Sequence, residues 1–109
     1  GSYSLNITAN DTNNNQISTI ITITVQDQTP PTWDQTPQDQ SISDSELFNY
    51  TVNATDETAL ANIFLNDTTN FNILLNGSAG DLQRSATINS STLSAGTYSL
   101  NITANDTSN

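Results

Sequence analysis

The sequence predicts an all-β protein, an antiparallel β-sandwich that forms part of a tandem array. Apolar and polar residues alternate strictly in residues 3–9 and 48–54, a pattern typical of strands with one buried and one wet face. No segment combines helical periodicity with caps, and short strands recur every ~10–14 residues. Residues 1–14 match residues 96–109 at twelve of fourteen positions. An offset of 95 residues fits one sandwich unit with its linker.

The repeat predicts a chain cut out of phase with its domain boundaries. We expect residues 1–25 to be the last two strands of a preceding repeat. Residues 26–41 contain all three prolines and predict an inter-repeat linker that leads into a first strand. Residues 42–109 then form a sandwich without its final strand, which the next copy completes.

The first two strands are predicted to form a hairpin. Residues 3–9 and 17–25 flank a turn of Asn, Asp, Thr and Gln residues, several of which tolerate left-handed backbone. Ile21, Ile23 and Val25 share one face, whereas Ile20 breaks the phase and suggests a bulge or a second contact surface. We expect the three in-phase residues to complete a neighbouring sandwich, through covalent continuity or through strand donation.

The remaining strands follow the linker. Trp33 is the one large apolar residue in the linker and is expected to close one end of the next domain. The alternating or apolar segments after it predict five strands, at residues 47–55, 60–65, 71–75, 85–88 and 98–104.

The composition excludes several classes of function. The net charge is −10 and Arg84 is the one basic residue, which argues against binding to nucleic acid. His, Cys and Lys are absent, so the usual general base, thiol nucleophile and zinc ligands are missing. Asp56 and Glu57 are adjacent on a predicted turn and make no poised acid–base pair. We expect no enzyme and, since no apolar run nears ~20 residues, no membrane span in this segment.

Residues 96–106, GTYSLNITAND, resemble the Gly-x-Tyr-x-Leu-x-Ile-x-Ala-x-Asp strand of cadherin-like and bacterial or archaeal Ig-like repeats. The junction Val25-Gln26-Asp27, followed by residues 30–33, is similar to that of the same repeats. The resemblance implies an Ig-like or cadherin-like sandwich. It also places Tyr98, and its copy Tyr3, at a tyrosine corner whose hydroxyl bonds to backbone. The alternative is an ordinary core tyrosine.

The same resemblance raises the question of calcium. Cadherin linkers bind Ca²⁺ through several acidic side chains, whereas the linker here is shortened to Asp27-Gln28-Thr29-Pro30. The acidic residues near predicted strand ends are the candidate ligands: Asp11, Asp27, Asp56, Glu57 and Asp106. The alternative is that they form turns and keep the surface soluble.

The sequence also predicts N-linked glycans. Nine Asn-x-Ser/Thr sequons begin at Asn6, Asn10, Asn49, Asn53, Asn66, Asn76, Asn89, Asn101 and Asn105. A sequon spans i and i+2, the strand period, and the sequons within predicted strands fall on the face opposite the apolar one. Glycans would therefore project away from the core. They imply an extracellular or cell-surface protein, and we expect an archaeon or another prokaryote as its source.

Two functions remain open. The first is a structural repeat of an extracellular filament, stalk or cell-surface layer that supplies length, stiffness and a glycosylated surface. The alternative is an adhesin repeat that binds a glycan or receptor, with Ca²⁺ at the inter-repeat junction. The aromatic residues fall mostly on predicted core faces rather than on an exposed binding patch, which favours the structural function. In both cases the expected partners are other copies of the repeat.

Overall fold

The computed structural model describes residues 1–108 and confirms the all-β prediction; Asn109, the last residue of the third expected segment, lies outside the described residues. The described chain contains eight strands and no helix: β1 (Ser2–Asn10), β2 (Gln16–Thr24), β3 (Thr32–Trp33), β4 (Asn49–Thr55), β5 (Leu60–Leu65), β6 (Asn72–Asn76), β7 (Gln83–Asn89) and β8 (Ile102–Asp106). They form three antiparallel sheets in the orders β1-β2, β3-β4-β7-β6 and β5-β8.

The hairpin β1–β2 has an unbroken register. Ser2 pairs with Thr24, and Asn10 pairs with Gln16 at the turn. Asn14 takes a left-handed conformation in this turn, with φ of 66°. Ile20 pairs directly with Asn6 in the same continuous ladder. The predicted bulge at Ile20 is therefore wrong, because the residue simply points to the polar face of an otherwise regular strand.

The other two sheets pack on a shared core, an arrangement compatible with a β-sandwich; we call residues 32–106 the sandwich region. One buried cluster joins the four-stranded sheet to β5 through Val52, Ala54, Ala86, Leu60 and Ile63, and a second contains Leu65, Phe71 and Ile88. Trp33 is half-buried against the first cluster. The period-two alternation explains this core, since every second side chain of β4 and β7 points into it.

The predicted strand bounds hold best where a strand has a partner along its whole length. β5 spans the predicted residues 60–65. In contrast, residues 98–101 were expected to begin the last strand, yet β8 begins at Ile102. The corresponding residues of the first copy, 3–6, are regular strand because β2 pairs with them. The two segments have the same local sequence, and they differ in that no described strand pairs with residues 98–101.

The hairpin extends away from the sandwich region. Every residue of β1 and β2 is exposed, and the principal extents of the described chain are 87 × 23 × 20 Å. The chain is thus long and narrow, with the linker between its two parts. None of the described residues belongs to a helix that could cross a membrane.

Candidate metal centre at the linker

Three carboxylates meet where the linker joins the sandwich region. Asp27 follows the hairpin, Asp56 follows the end of β4, and Asp106 ends β8. One carboxylate oxygen from each residue lies within 4.8 Å of those of the other two. Segments far apart in sequence therefore converge on one acidic cluster, which we call the junction triad.

Asp56 is held in place by its own turn. Its side chain is 3% exposed, and its Oδ1 accepts hydrogen bonds of 2.8 Å from the backbone N–H groups of Thr58 and Ala59. The second oxygen, Oδ2, is buried and accepts no hydrogen bond from the residues that the structure describes. A buried carboxylate oxygen without a donor is costly, and a bound cation or water would offset that cost.

Asp27 and Asp106 complete the cluster from two directions. Asp27 Oδ1 accepts a 2.9 Å hydrogen bond from the Thr29 backbone N–H, while its buried Oδ2 accepts none within the described chain. Asp106 is 1% exposed, and its Oδ1 accepts a 2.8 Å hydrogen bond from the Ser108 backbone N–H. Both residues therefore form short turns that orient their carboxylates toward one region.

The charge of the junction triad is not balanced by the single arginine. Arg84 is 7% exposed, and its guanidinium donates to the backbone carbonyl oxygens of Ala61 and Gly77. At an effective dielectric constant of ~20, two unit charges 4.8 Å apart repel by about 3.5 kcal/mol. Asp56 and Asp106 are both buried at no more than this separation. A bound cation would turn this repulsion into attraction.

The donor set fits calcium. Carboxylates are hard oxygen ligands, and each can coordinate through one or both oxygens, so three can supply three to six oxygens. Ca²⁺ takes six to eight oxygens and accepts flexible geometry, whereas Mg²⁺ requires a near-ideal octahedron and keeps several waters. The triad, completed by water or backbone oxygens, therefore suits Ca²⁺ better than a transition metal, which would favour nitrogen or sulfur ligands.

The other two predicted ligands lie outside the triad. Glu57 is exposed beside Asp56, and its Oε1 accepts a 2.7 Å hydrogen bond from the Thr29 hydroxyl. Asp11 lies in the hairpin turn, where hydrogen bonds from Asn15, foremost from its side chain, and from the Asn13 backbone N–H lower the pKa of its carboxyl. Asp11 is the repeat equivalent of Asp106, which explains why sequence alone proposed both.

The two predicted corner tyrosines differ. The Tyr98 hydroxyl donates a 2.9 Å hydrogen bond to the Ser94 carbonyl, four residues upstream, and its ring packs edge-on against Phe71 at 5.9 Å. Tyr3 is 61% exposed on the hairpin. The same motif is therefore folded onto a core in one copy and left in solvent in the other.

The sequons are mostly accessible. Asn89 and Asn105 are partly buried. The other seven sequon asparagines are exposed: Asn6, Asn10, Asn49, Asn53, Asn66, Asn76 and Asn101. On β4, the exposed Asn49 and Asn53 alternate with Val52 and Ala54, which are buried. A glycan on either asparagine would leave the core undisturbed.

An open groove lies in the sandwich region, which the sequence predicts to lack its final strand. It has a volume of about 760 Å³ and lies between residues 37–44 and 93–102, with Phe48, Phe71 and Ile88 among the residues that line it. The sequence did not predict which residues line this groove. The residues predicted to complete a neighbouring sandwich are all exposed, Ile21 at 42%, Ile23 at 45% and Val25 at 59%.

Comparison with known proteins returned no matching family model, no matching curated protein and no matching solved structure. Evidence on function therefore comes from the geometry of the junction triad, the hairpin and the groove.

Proposed function

We propose that this chain is a structural unit of an extracellular or cell-surface array, in which Ca²⁺ bound by the junction triad fixes each linker to the sandwich after it. The observation that carries the proposal is the convergence of Asp27 with Asp56 and Asp106. Asp27 belongs to the linker and the other two to the sandwich region, so one ion shared by all three would join the two parts. Such an ion would have a mechanical role, because it would restrict bending between units.

The strand order supports an Ig-like or cadherin-like unit. Constant-type Ig domains place strands A, B, E and D in one sheet and C, F and G in the other. The order β3-β4-β7-β6 matches A-B-E-D, and β5-β8 matches C-F. Tyr98 then lies four residues before strand F, which begins at Ile102, and its bond to the Ser94 carbonyl has the form of a tyrosine corner.

The surface supports a structural unit over an adhesive one. Among the described residues of the sandwich region, the exposed aromatic side chains are Phe64, at 43%, and Tyr98, at 38%. A binding face would be expected to cluster several such anchors. The seven exposed sequon asparagines suit a glycosylated outer surface, and intact mass of the native protein before and after glycan removal tests this.

NMR relaxation tests the mechanical proposal. With saturating Ca²⁺, the amides of residues 1–25 and those of the sandwich region are expected to share one rotational correlation time. With a chelator, or after Asp27→Asn, the hairpin should tumble faster than the sandwich region. Glu46→Gln removes the same charge from an exposed position outside both the triad and the groove and should behave as the parent chain. Independent tumbling of the hairpin in saturating Ca²⁺ would contradict the proposal.

A further inference from the structure

We propose that the groove beside β8 is filled by β2 of a second copy of this unit, paired with residues 97–105 in the register that β2 keeps with β1. The inference rests on the proposed array and names the surface through which its units join. Three independent features carry it: an exposed apolar face, an open groove and a repeated strand.

The apolar face belongs to the hairpin. In β1, Leu5 is 46% and Ile7 is 52% exposed. Their repeat equivalents in the second copy, Leu100 and Ile102, pack against the buried clusters of the sandwich region. The same sequence thus lines a core in one copy and faces water in the other. An exposed apolar sheet face of this kind marks a surface that another element covers.

The groove in the sandwich region is the surface that would cover the apolar face of the hairpin. It runs alongside residues 93–102, and its lining includes Tyr98 and Leu100. In β1–β2, Tyr3 pairs with Ile23 and Leu5 with Ile21. Moving this register by 95 residues places Ile23 opposite Tyr98 and Ile21 opposite Leu100. Both isoleucines would then enter the groove, and the apolar side chains that line the groove would lose contact with water.

The edge of β8 opposite β5 provides the hydrogen-bonding partner. Among the described strands, β8 pairs with β5 alone, so no second described strand lies beside Ile102–Ala104. The turn after β8 resembles the turn after β1. Asp106 Oδ1 accepts a hydrogen bond from the Ser108 backbone N–H, and Asp11 Oδ1 accepts one from the Asn13 backbone N–H. In the constant-type Ig order, the strand beside F is G, and β2 would occupy that place. A small molecule in the groove could not restore a strand ladder.

For two copies to associate, β2 of one copy must leave its own β1 and pair with residues 97–105 of the other copy. These two segments are identical except at one end, where Ser2 corresponds to Thr97, so the exchange retains the ladder while it also covers apolar surface. The edge of β8 and the groove beside it therefore match a second copy of this unit, both in strand register and in apolar side chains.

Disulfide trapping tests the register in the full 109-residue chain, which has no cysteine of its own. The Thr8 and Ser18 hydroxyls lie 2.9 Å apart in the hairpin, and Thr103 is the repeat equivalent of Thr8. We mix a ¹⁵N-labelled Thr103→Cys chain with an unlabelled Ser18→Cys chain under mild oxidation. The expected product is a mixed disulfide dimer of twice the chain mass. The matched control, Thr19→Cys, is one residue out of register on the opposite face and should give no mixed dimer.

Sedimentation provides a second readout that needs no cysteine. The double substitution Ile21→Asn and Ile23→Asn should abolish self-association of the full chain. Ile20→Asn, on the polar face of the same strand, should leave it intact. Three results would overturn the inference. In trapping, these are no mixed dimer from either cysteine pair, or equal amounts from both. In sedimentation, it is an equal loss of association in the Ile21/Ile23 double variant and in the Ile20 variant. The trapping is done in chelator as well as in Ca²⁺, so a failure of calcium binding is distinguished from a failure of strand pairing.

Discussion

Calcium should stabilise this chain against unfolding, and Asp56 should control the size of the effect. The carboxylate has one oxygen bonded to backbone N–H groups and one buried oxygen without a donor in the described chain. Asp56→Asn retains the shape of the side chain and an oxygen that can accept from Thr58 and Ala59. It removes the charge and one coordinating oxygen. The substitution therefore separates metal binding from the local turn.

The magnitude follows from ligand linkage. Extracellular calcium modules bind with dissociation constants of about 10⁻⁴–10⁻³ M. A ligand that binds the folded state alone stabilises it by RT ln(1 + [L]/Kd), which at 10 mM Ca²⁺ amounts to about 1.4–2.7 kcal/mol. We expect this gain in the parent chain and almost none in Asp56→Asn. Asp44→Asn, with the same charge change on an exposed turn, should retain the gain.

Urea unfolding monitored by Trp33 fluorescence measures the effect directly. Trp33 is the single tryptophan, and it packs against the buried cluster of the sandwich region. Midpoints are compared in 10 mM Ca²⁺, in 10 mM Mg²⁺ and in chelator, at constant ionic strength so that general screening of the −10 charge cancels. A parent chain with equal stability in Ca²⁺ and in chelator would refute the metal assignment. So would an equal response of the Asp56 and Asp44 variants.

Three further predictions follow from single side chains. Tyr98→Phe should lower the free energy of unfolding by about 0.5–1.5 kcal/mol through loss of the bond to the Ser94 carbonyl, while Tyr3→Phe on the exposed hairpin should cost almost nothing in the same urea assay. Ile88→Ala, at a fully buried position, should cost about 2–5 kcal/mol in thermal unfolding, and a cost near zero would show that the core is misplaced. Hydrogen bonds, foremost from the Asn70 side chain, lower the pKa of the Asp67 carboxyl. This turn's contribution to stability is therefore present above the ordinary pKa of ~3.9 and is lost as pH falls through the depressed value. An unshifted pKa of Asp67 in an NMR titration would disprove this prediction.

The sequence predicted most of the strands because their burial follows period two. The alternation in residues 48–54 and the hairpin residues 3–9 and 17–25 needed no tertiary information. Of the two alternatives for Ile20, the bulge was wrong, because an apolar residue on the wet face of a regular strand has the same sequence pattern as a bulge. The start of the last strand was misjudged as well, because residues 98–101 need a ladder partner that local sequence cannot reveal.

The candidate site was predictable as a set of residues but not as a geometry. Acidic residues at strand ends identified Asp27, Asp56 and Asp106 together with Asp11 and Glu57. Which three would meet depended on the sheet order, which brings the ends of β4 and β8 to the same end of the sandwich region as the linker. Asp11 could not have been separated from Asp106 by sequence, because the two occupy the same position in successive copies.

The crystal structure, grown with Ca²⁺, of a chain carrying two consecutive units tests the central claim most directly. Residues 1–106 followed by a second copy of residues 12–109 would keep the 95-residue offset at which residues 1–14 match residues 96–109. We predict that β2 of the second copy lies between residues 97–105 and residues 37–44 of the first, with Ile21 against Leu100. We also predict one Ca²⁺ at each junction triad. A second β2 that lies free of the groove, with triads that hold no ion, would contradict the account.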